Sequence, residues 1–261
     1  MAAIVPIVGM LLGAELAEWF PLAGIVITVL AMAATAVFAG WLVSTWLAGS
    51  IELGVVHGGY LLPTVAGGYV AATAGAAIGL PDVGWAAFGV ATLFWAIMTT
   101  IIVVRIVTRP ALPDPLVPTL AVIVAPPAVG GLALFDLTGN SITPLSLAFA
   151  GLTVVLTITQ LSLISRYRRL SFSLGFWSFT FPTAAVVAYT ITWIGITGFA
   201  GDTIVVAVLA AAVTLFILAI GARSLVEAAG KRRRLRAEDV LTVADNADAS
   251  IVGITTPAAQ P

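Results

Sequence analysis

The chain has 261 residues, of which 61% are hydrophobic and only 9% charged, with a formal net charge of −1. A soluble domain of this length needs about a quarter of its residues charged to cover its surface, so this surface must face lipid. Cysteine is absent and His57 is the only histidine, which excludes disulfides, Cys-ligated zinc or iron–sulfur sites and a His-based metal centre.

The opening residues, MAAIVPIVGMLLGAE, lack a basic n-region and run into further apolar sequence, so they read as a first spanning helix and not as a secretory leader. A span needs about 20 mostly apolar residues. Eight segments qualify: 3–20, 22–48, 59–80, 84–107, 116–136, 144–165, 172–197 and 202–227. Glu15 and Glu18 shorten the apolar run of the first. Turn formers punctuate the series at Pro21, Pro81-Asp82, RPALPDP (109–115), DLTGNSITP (136–144) and Gly201-Asp202.

The basic residues orient the spans. Arg105 and Arg109 follow the fourth, Arg166, Arg168 and Arg169 the sixth, and Arg223, Lys231, Arg232, Arg233, Arg234 and Arg236 end or follow the eighth. Every one lies on a single side of an eight-span topology, opposite Asp82, Asp136 and Asp202, which predicts that both termini are cytoplasmic. Residues 1–228 form the membrane domain, and 229–261 a basic then polar tail. The KRRRLR run at 231–236 is a juxtamembrane anchor for anionic headgroups. The polar stretch after it lacks helical periodicity and is expected to be disordered.

Prolines divide the spans into two kinds. Pro6, Pro63, the pair Pro126 and Pro127, and Pro182 lie in the first, third, fifth and seventh spans, while the even spans have none in their interiors. The intervals Pro6 to Pro63, Pro63 to Pro126 and Pro127 to Pro182 are 57, 63 and 55 residues, one helical hairpin each. A proline inside a helix frees a backbone carbonyl, and in a bilayer irregular backbone survives only where protein or water surrounds it. The fold expected is therefore all-α: four hairpins, with kinked inner helices around a central pore and straight outer ones.

The kinked spans also carry small residues in stripes. Thr64, Gly68, Ala71 and Gly75 share a face of the third span, Pro6, Gly9 and Gly13 of the first, and Pro126, Gly130 and Ala133 of the fifth. In the seventh, Ser178, Ala185, Ala188 and Thr192 line up, interrupted by Phe181. Such stripes mark either close helix packing or the wall of a narrow channel. No Lys, Arg, Asp or Glu lies at the centre of a span, which argues against a protein-borne proton relay, a pump and a carboxylate-ringed cation channel. What remains is a neutral path with hydroxyls (Thr64, Ser178, Thr192) and backbone donors at helix breaks, which suit anions. No metalloprotease helix, nucleophile elbow or intramembrane aspartate pair is present, so neither an enzyme nor a cofactor is expected. His57 and Glu52, in the loop 49–58, read as structural.

Three segments resemble the tellurite-resistance and C4-dicarboxylate transporter family, which includes the plant slow anion channels. They are GYLLPTVAGG (59–68), LPDPLVPTLAVIVAPPAVGG (112–131) and FSLGFWSFTFPTAAVVAY (172–189), with FWSFTFP the most specific. The resemblance implies hairpins around a central pore, an anion-conducting path, a phenylalanine gate and a homotrimer with one pore per subunit. Carried over, the gate is Phe181, and Phe179 points about 200° away on a helix. The family has ten helices in five hairpins, and this chain matches the last four. The function expected is passage of small anions (dicarboxylate, sulfite, halide or similar) across the plasma membrane. The alternatives are a proton-coupled C4-dicarboxylate carrier and a non-transporting membrane subunit of a complex.

Overall fold

The computed structural model describes residues 4–49 and 52–254, the stretch 231–254 by its backbone alone. The chain forms two compact units, Met1–Thr214 and Leu215–Pro261. Among the described residues all regular structure is helical. Six helices are long and apolar enough to cross a bilayer: Pro21–Leu47, Pro81–Thr108, Asp114–Thr138, Pro144–Ser162, Leu174–Thr197 and Asp202–Gly230. The other two expected spans are helical but shorter. The first is α1 (Ile4–Trp19), of 16 residues. It stops one residue before Pro21 opens α2 (Pro21–Leu47).

The third expected span is broken into pieces. Two short 3₁₀ turns, Leu53–Val55 and Gly58–Tyr60, lead into a wide π-turn, Leu62–Ala66, and then α3 (Gly67–Ala77). The cause is local: Pro63 has no amide to donate, and Gly58, Gly59, Gly67 and Gly68 hold a helix poorly. Next come α4 (Pro81–Thr108), a long 3₁₀ stretch over Asp114–Val124, and α5 (Ala125–Thr138). Pro113, Pro115 and Pro118 remove three donors in succession, which favours the tighter winding over an α-helix.

α5 ends at Gly139, whose φ of +61° a side chain would disfavour. Thr143 and Ser146 then cap α6 (Pro144–Ser162) reciprocally, side chain to backbone in both directions. A single turn, α7 (Ile164–Tyr167), precedes another 3₁₀ stretch, Leu174–Phe179, and α8 (Thr180–Thr197). The last helix, α9 (Asp202–Ile254), runs through the basic run and across the polar stretch that composition reads as unstructured. Ala, Glu, Arg and Leu there are strong helix formers, and no glycine or proline interrupts residues 231–252.

Within the first unit, α1 packs on α2, α3 on α4 and α5 on α6. A second set of contacts joins α1 to α3, α3 to α5 and α5 to α8. These four helices therefore form a row in sequence order, each packed on the next. Asp114–Thr138 is the most enclosed of the six long segments. At the centre, Tyr69 of α3 meets Phe88 of α4 at 5.3 Å and Phe149 of α6 at 6.2 Å between ring centroids. Gly130 of α5 lies under both Tyr69 and Phe149, and a Cβ there would overlap the two rings. In a bilayer it is the close packing of these rings that joins the helices, since lipid itself is apolar.

Candidate functional site

The prolines singled out from sequence stand where the helix type changes. Pro63 lies in the π-turn before α3. Pro126 and Pro127 open α5 directly after a 3₁₀ stretch, and Pro182 is the third residue of α8 after another. Pro6 is likewise the third residue of α1. In the first turn of a helix the missing amide proton has no partner to lose, so these positions accept proline. Pro63, Pro126, Pro127 and Pro182 are all buried, while Pro6 is half-buried.

The small residues fall mostly on seams between helices. A Cβ at Gly9 would touch Ala31, and one at Gly13 would overlap Thr28, both on α2. One at Gly68 would crowd Ala91, and one at Gly75 would crowd Gly84, both on α4. These stripes let α1 and α3 approach their neighbours closely, the packing option of the two that sequence left open. Thr64 in the π-turn and Ala71 on α3 are buried, and the Thr64 hydroxyl is enclosed without a hydrogen-bond partner. Elsewhere, hydroxyls such as Thr28, Thr35, Thr92 and Thr153 donate to the carbonyl four residues earlier.

On α8 the buried face carries Pro182, Ala185 and Tyr189. The Tyr189 ring covers Gly131 of α5, and its hydroxyl donates to the Ser146 carbonyl at 3.2 Å. Phe181, one turn before Ala185, is half-buried and packs on the main core. Phe179 sits apart, against Tyr167 at 4.9 Å and Phe176 at 5.6 Å, in a separate apolar cluster with Leu112, Val117 and Leu120. The two phenylalanines thus face different surroundings, as their spacing predicts. Ala188 is exposed, Thr192 donates to its carbonyl at 3.1 Å, and Ser178 is half-buried in the 3₁₀ stretch.

Polar side chains brace the basic end. Arg105, only 4% exposed, donates from Nε and Nη2 to the Gly54 carbonyl (3.3 and 3.1 Å) and from Nη1 to that of Pro110 (3.0 Å). It ties the loop before the π-turn to the segment that opens the long 3₁₀ stretch. His57 accepts the Gly59 amide on Nδ1 at 3.1 Å, which requires an unprotonated Nδ1. Burial, and then the nearby Arg105 charge, hold the His57 pKa below the ordinary histidine value. Gln160 of α6 donates to the Leu120 carbonyl at 3.0 Å and accepts the Tyr167 hydroxyl at 2.6 Å. Burial pushes the Tyr167 phenol up to about 12, partly offset by Arg166, so it stays a donor at physiological pH. Backbone carbonyls left over by 3₁₀ and broken segments are thus satisfied by side chains from α4 and α6. Sequence analysis missed this role of Arg105 and Gln160, because the carbonyls they serve are distant in the chain.

At the opposite end, Asp136 lies inside the last turn of α5, where sequence placed it in a loop. Thr73 of α3 is the polar side chain nearest its carboxylate that bears on its charge.

The row of partly unwound helices is the setting in which comparison with known proteins is informative. Residues 1–225 match the family model described as SLAC1, voltage-dependent anion channel. The chain is 28% identical over 158 residues to the S-type anion channel SLAH2 of Arabidopsis thaliana, covering 60% of this chain and 30% of that one. It is 25% identical over 185 residues to a tellurite resistance protein TehA homolog of Haemophilus influenzae, covering 70% of this chain and 56% of that protein. The chain therefore spans less than two thirds of the length of either relative. The likeness read from GYLLPTVAGG, the APP segment and FWSFTFP is borne out, and the chain belongs to the SLAC1 family of anion channels and transporters.

Proposed function

We propose that the protein passes small anions across a membrane, along the row formed by α1, α3, α5 and α8, with Phe181 as the gate. The observation that carries this reading is the position of Phe181. It is a large ring at the start of α8, directly before Pro182 and on the core side of the helix, in a chain of the SLAC1 family. The relatives are named as an anion channel and a tellurite resistance protein; nothing in this chain is shaped for tellurite in particular. Supporting it, ionisable groups gather at the two ends of the long segments and leave the middle neutral.

On this reading the chain crosses the membrane eight times as four hairpins, with α1 and the broken third segment included and both termini cytoplasmic. It works in the plasma membrane as a homotrimer. The lining would draw on Pro63, Pro126, Pro127, Pro182 and Ala185, while Gly68 belongs to the α3–α4 seam. The test is anion flux into liposomes containing purified protein. Uptake down the anion gradient alone supports a channel, and uptake that follows an imposed pH gradient supports the proton-coupled carrier. Folded protein that moves no anion contradicts transport and favours a subunit that serves a partner.

A further inference from the structure

Glycine contacts fix how α3 and α5 are turned. On α3, Gly67 faces Ile7 of α1 and Thr35 of α2, Gly68 faces α4, and the Tyr69 ring lies on Gly130 of α5. At about 100° per residue these three use up most of the helix circumference. The remaining strip carries Ala66, Val70, Thr73 and Ala77, spaced 4, 3 and 4 residues apart. On α5, Gly130 faces Phe149 of α6 and Tyr69, and Gly131 faces Tyr189 of α8. Its remaining strip carries Ala125, Val129, Leu132 and Asp136, again spaced 4, 3 and 4.

Exposure rises along both strips in the same direction. Ala66 and Val70 are buried, Thr73 is half-buried and Ala77 exposed. Ala125 and Val129 are buried, Leu132 is half-buried and Asp136 exposed. α3 and α5 pack on each other, and the two strips come together where Thr73 stands beside Asp136. Both strips are therefore buried from the basic end to the middle and exposed toward the acidic end, where Asp136 stands. The other titratable groups on elements packed against α5 are Tyr69, whose hydroxyl is engaged by Thr92, Tyr189, whose hydroxyl is engaged by Ser146, Asp82 and Arg105 at opposite ends of α4, and Asp114 at the start of the 3₁₀ stretch, at the basic end. Arg105 is bound to carbonyls at the basic end.

We infer that Asp136 is a charge filter at the mouth of the path, favouring monovalent over divalent anions. The inference rests on the transport reading above. A fixed negative charge repels a dianion twice as strongly as a monoanion. At roughly 7 Å in a water-filled mouth each unit of anion charge costs about a threefold drop in local concentration, more where the dielectric is lower. Salt weakens the effect within a Debye length of about 10 Å at 0.1 M.

The experiment compares nitrate and sulfate flux through full-chain protein in liposomes at low ionic strength. Wild type, Asp136→Asn and Thr73→Val are run side by side. Asp136→Asn removes the charge at nearly constant size, so the sulfate-to-nitrate ratio should rise about threefold, and the gain should shrink as impermeant salt is added. Thr73→Val changes the polar neighbour of Asp136 and keeps the charge, so its ratio should stay near wild type. An unchanged ratio in Asp136→Asn, with nitrate flux intact, overturns the filter. The same shift in Thr73→Val overturns it too, because the effect would then come from structure. Folded wild type that passes neither anion refutes the transport reading itself, a separate outcome that removes the filter with it.

Discussion

Replacing Gly131 by alanine should loosen the joint that positions the gate helix. A Cβ at this position overlaps the Tyr189 ring of α8, and Tyr189 is only 2% exposed, with no room to retreat. Forcing a methyl into such a site costs about 1–3 kcal/mol. Displacing the ring also breaks its hydroxyl bond to the Ser146 carbonyl, about 1 kcal/mol more. The expected loss is therefore about 2–4 kcal/mol, read as unfolding free energy in mixed detergent micelles. Gly151→Ala on α6 is the control, since a Cβ there meets nothing within 4 Å. It should be neutral, or stabilising by up to about 1 kcal/mol through helix propensity. Tyr189→Ala alone should destabilise, but the double variant with Gly131→Ala should lose less than the sum, because the clash is gone. Gly131→Ala protein as stable as the Gly151→Ala control would refute the packing argument for the α5–α8 joint.

Three further outcomes are expected. Arg105→Met strips the Gly54 and Pro110 carbonyls of their donors, which should cost about 1–3 kcal/mol for each group left buried without a partner, and Arg105→Lys should recover only part because an ammonium lacks the fork geometry. His57 in the folded chain takes up a proton at lower pH than in the unfolded chain, so its contribution is complete above about pH 6.5 and is lost as the pH falls below that. His57→Asn, which keeps a capping acceptor and does not titrate, should flatten the thermal-stability profile over the same range. Cysteine placed at Ala77 should react with a water-soluble thiol reagent, whereas cysteine at Gly68 should stay unlabelled against Ala91. The reverse pattern, scored by mass shift, would turn α3 around.

Composition and the apolar runs pointed to an all-helical membrane chain, and the Arg and Lys after the fourth, sixth and eighth segments are what the proposed orientation rests on. Span boundaries were legible wherever a proline opens a helix, as at Pro21, Pro81 and Pro144. The third segment was less so: hydropathy reads it as one span, but Pro63 and four glycines divide it. Asp136 was misplaced because DLTGNSITP looks like a loop from its first residue, while α5 in fact continues to its C-terminal stop at Gly139. The small-residue stripes could not be assigned from spacing, since a seam and a pore wall ask for the same residue sizes. Only the partners of Gly13, Gly68 and Gly75 decide between them. Arg105 was invisible as a brace because carbonyl partners leave no mark in sequence.

The measurement that bears most directly on the proposed function is anion flux through purified protein in liposomes, wild type beside Phe181→Ala. Removing the ring should raise chloride or nitrate flux well above wild type while circular dichroism and elution in detergent remain unchanged. Equal flux in the two folded proteins would contradict the assignment of Phe181 as the gate.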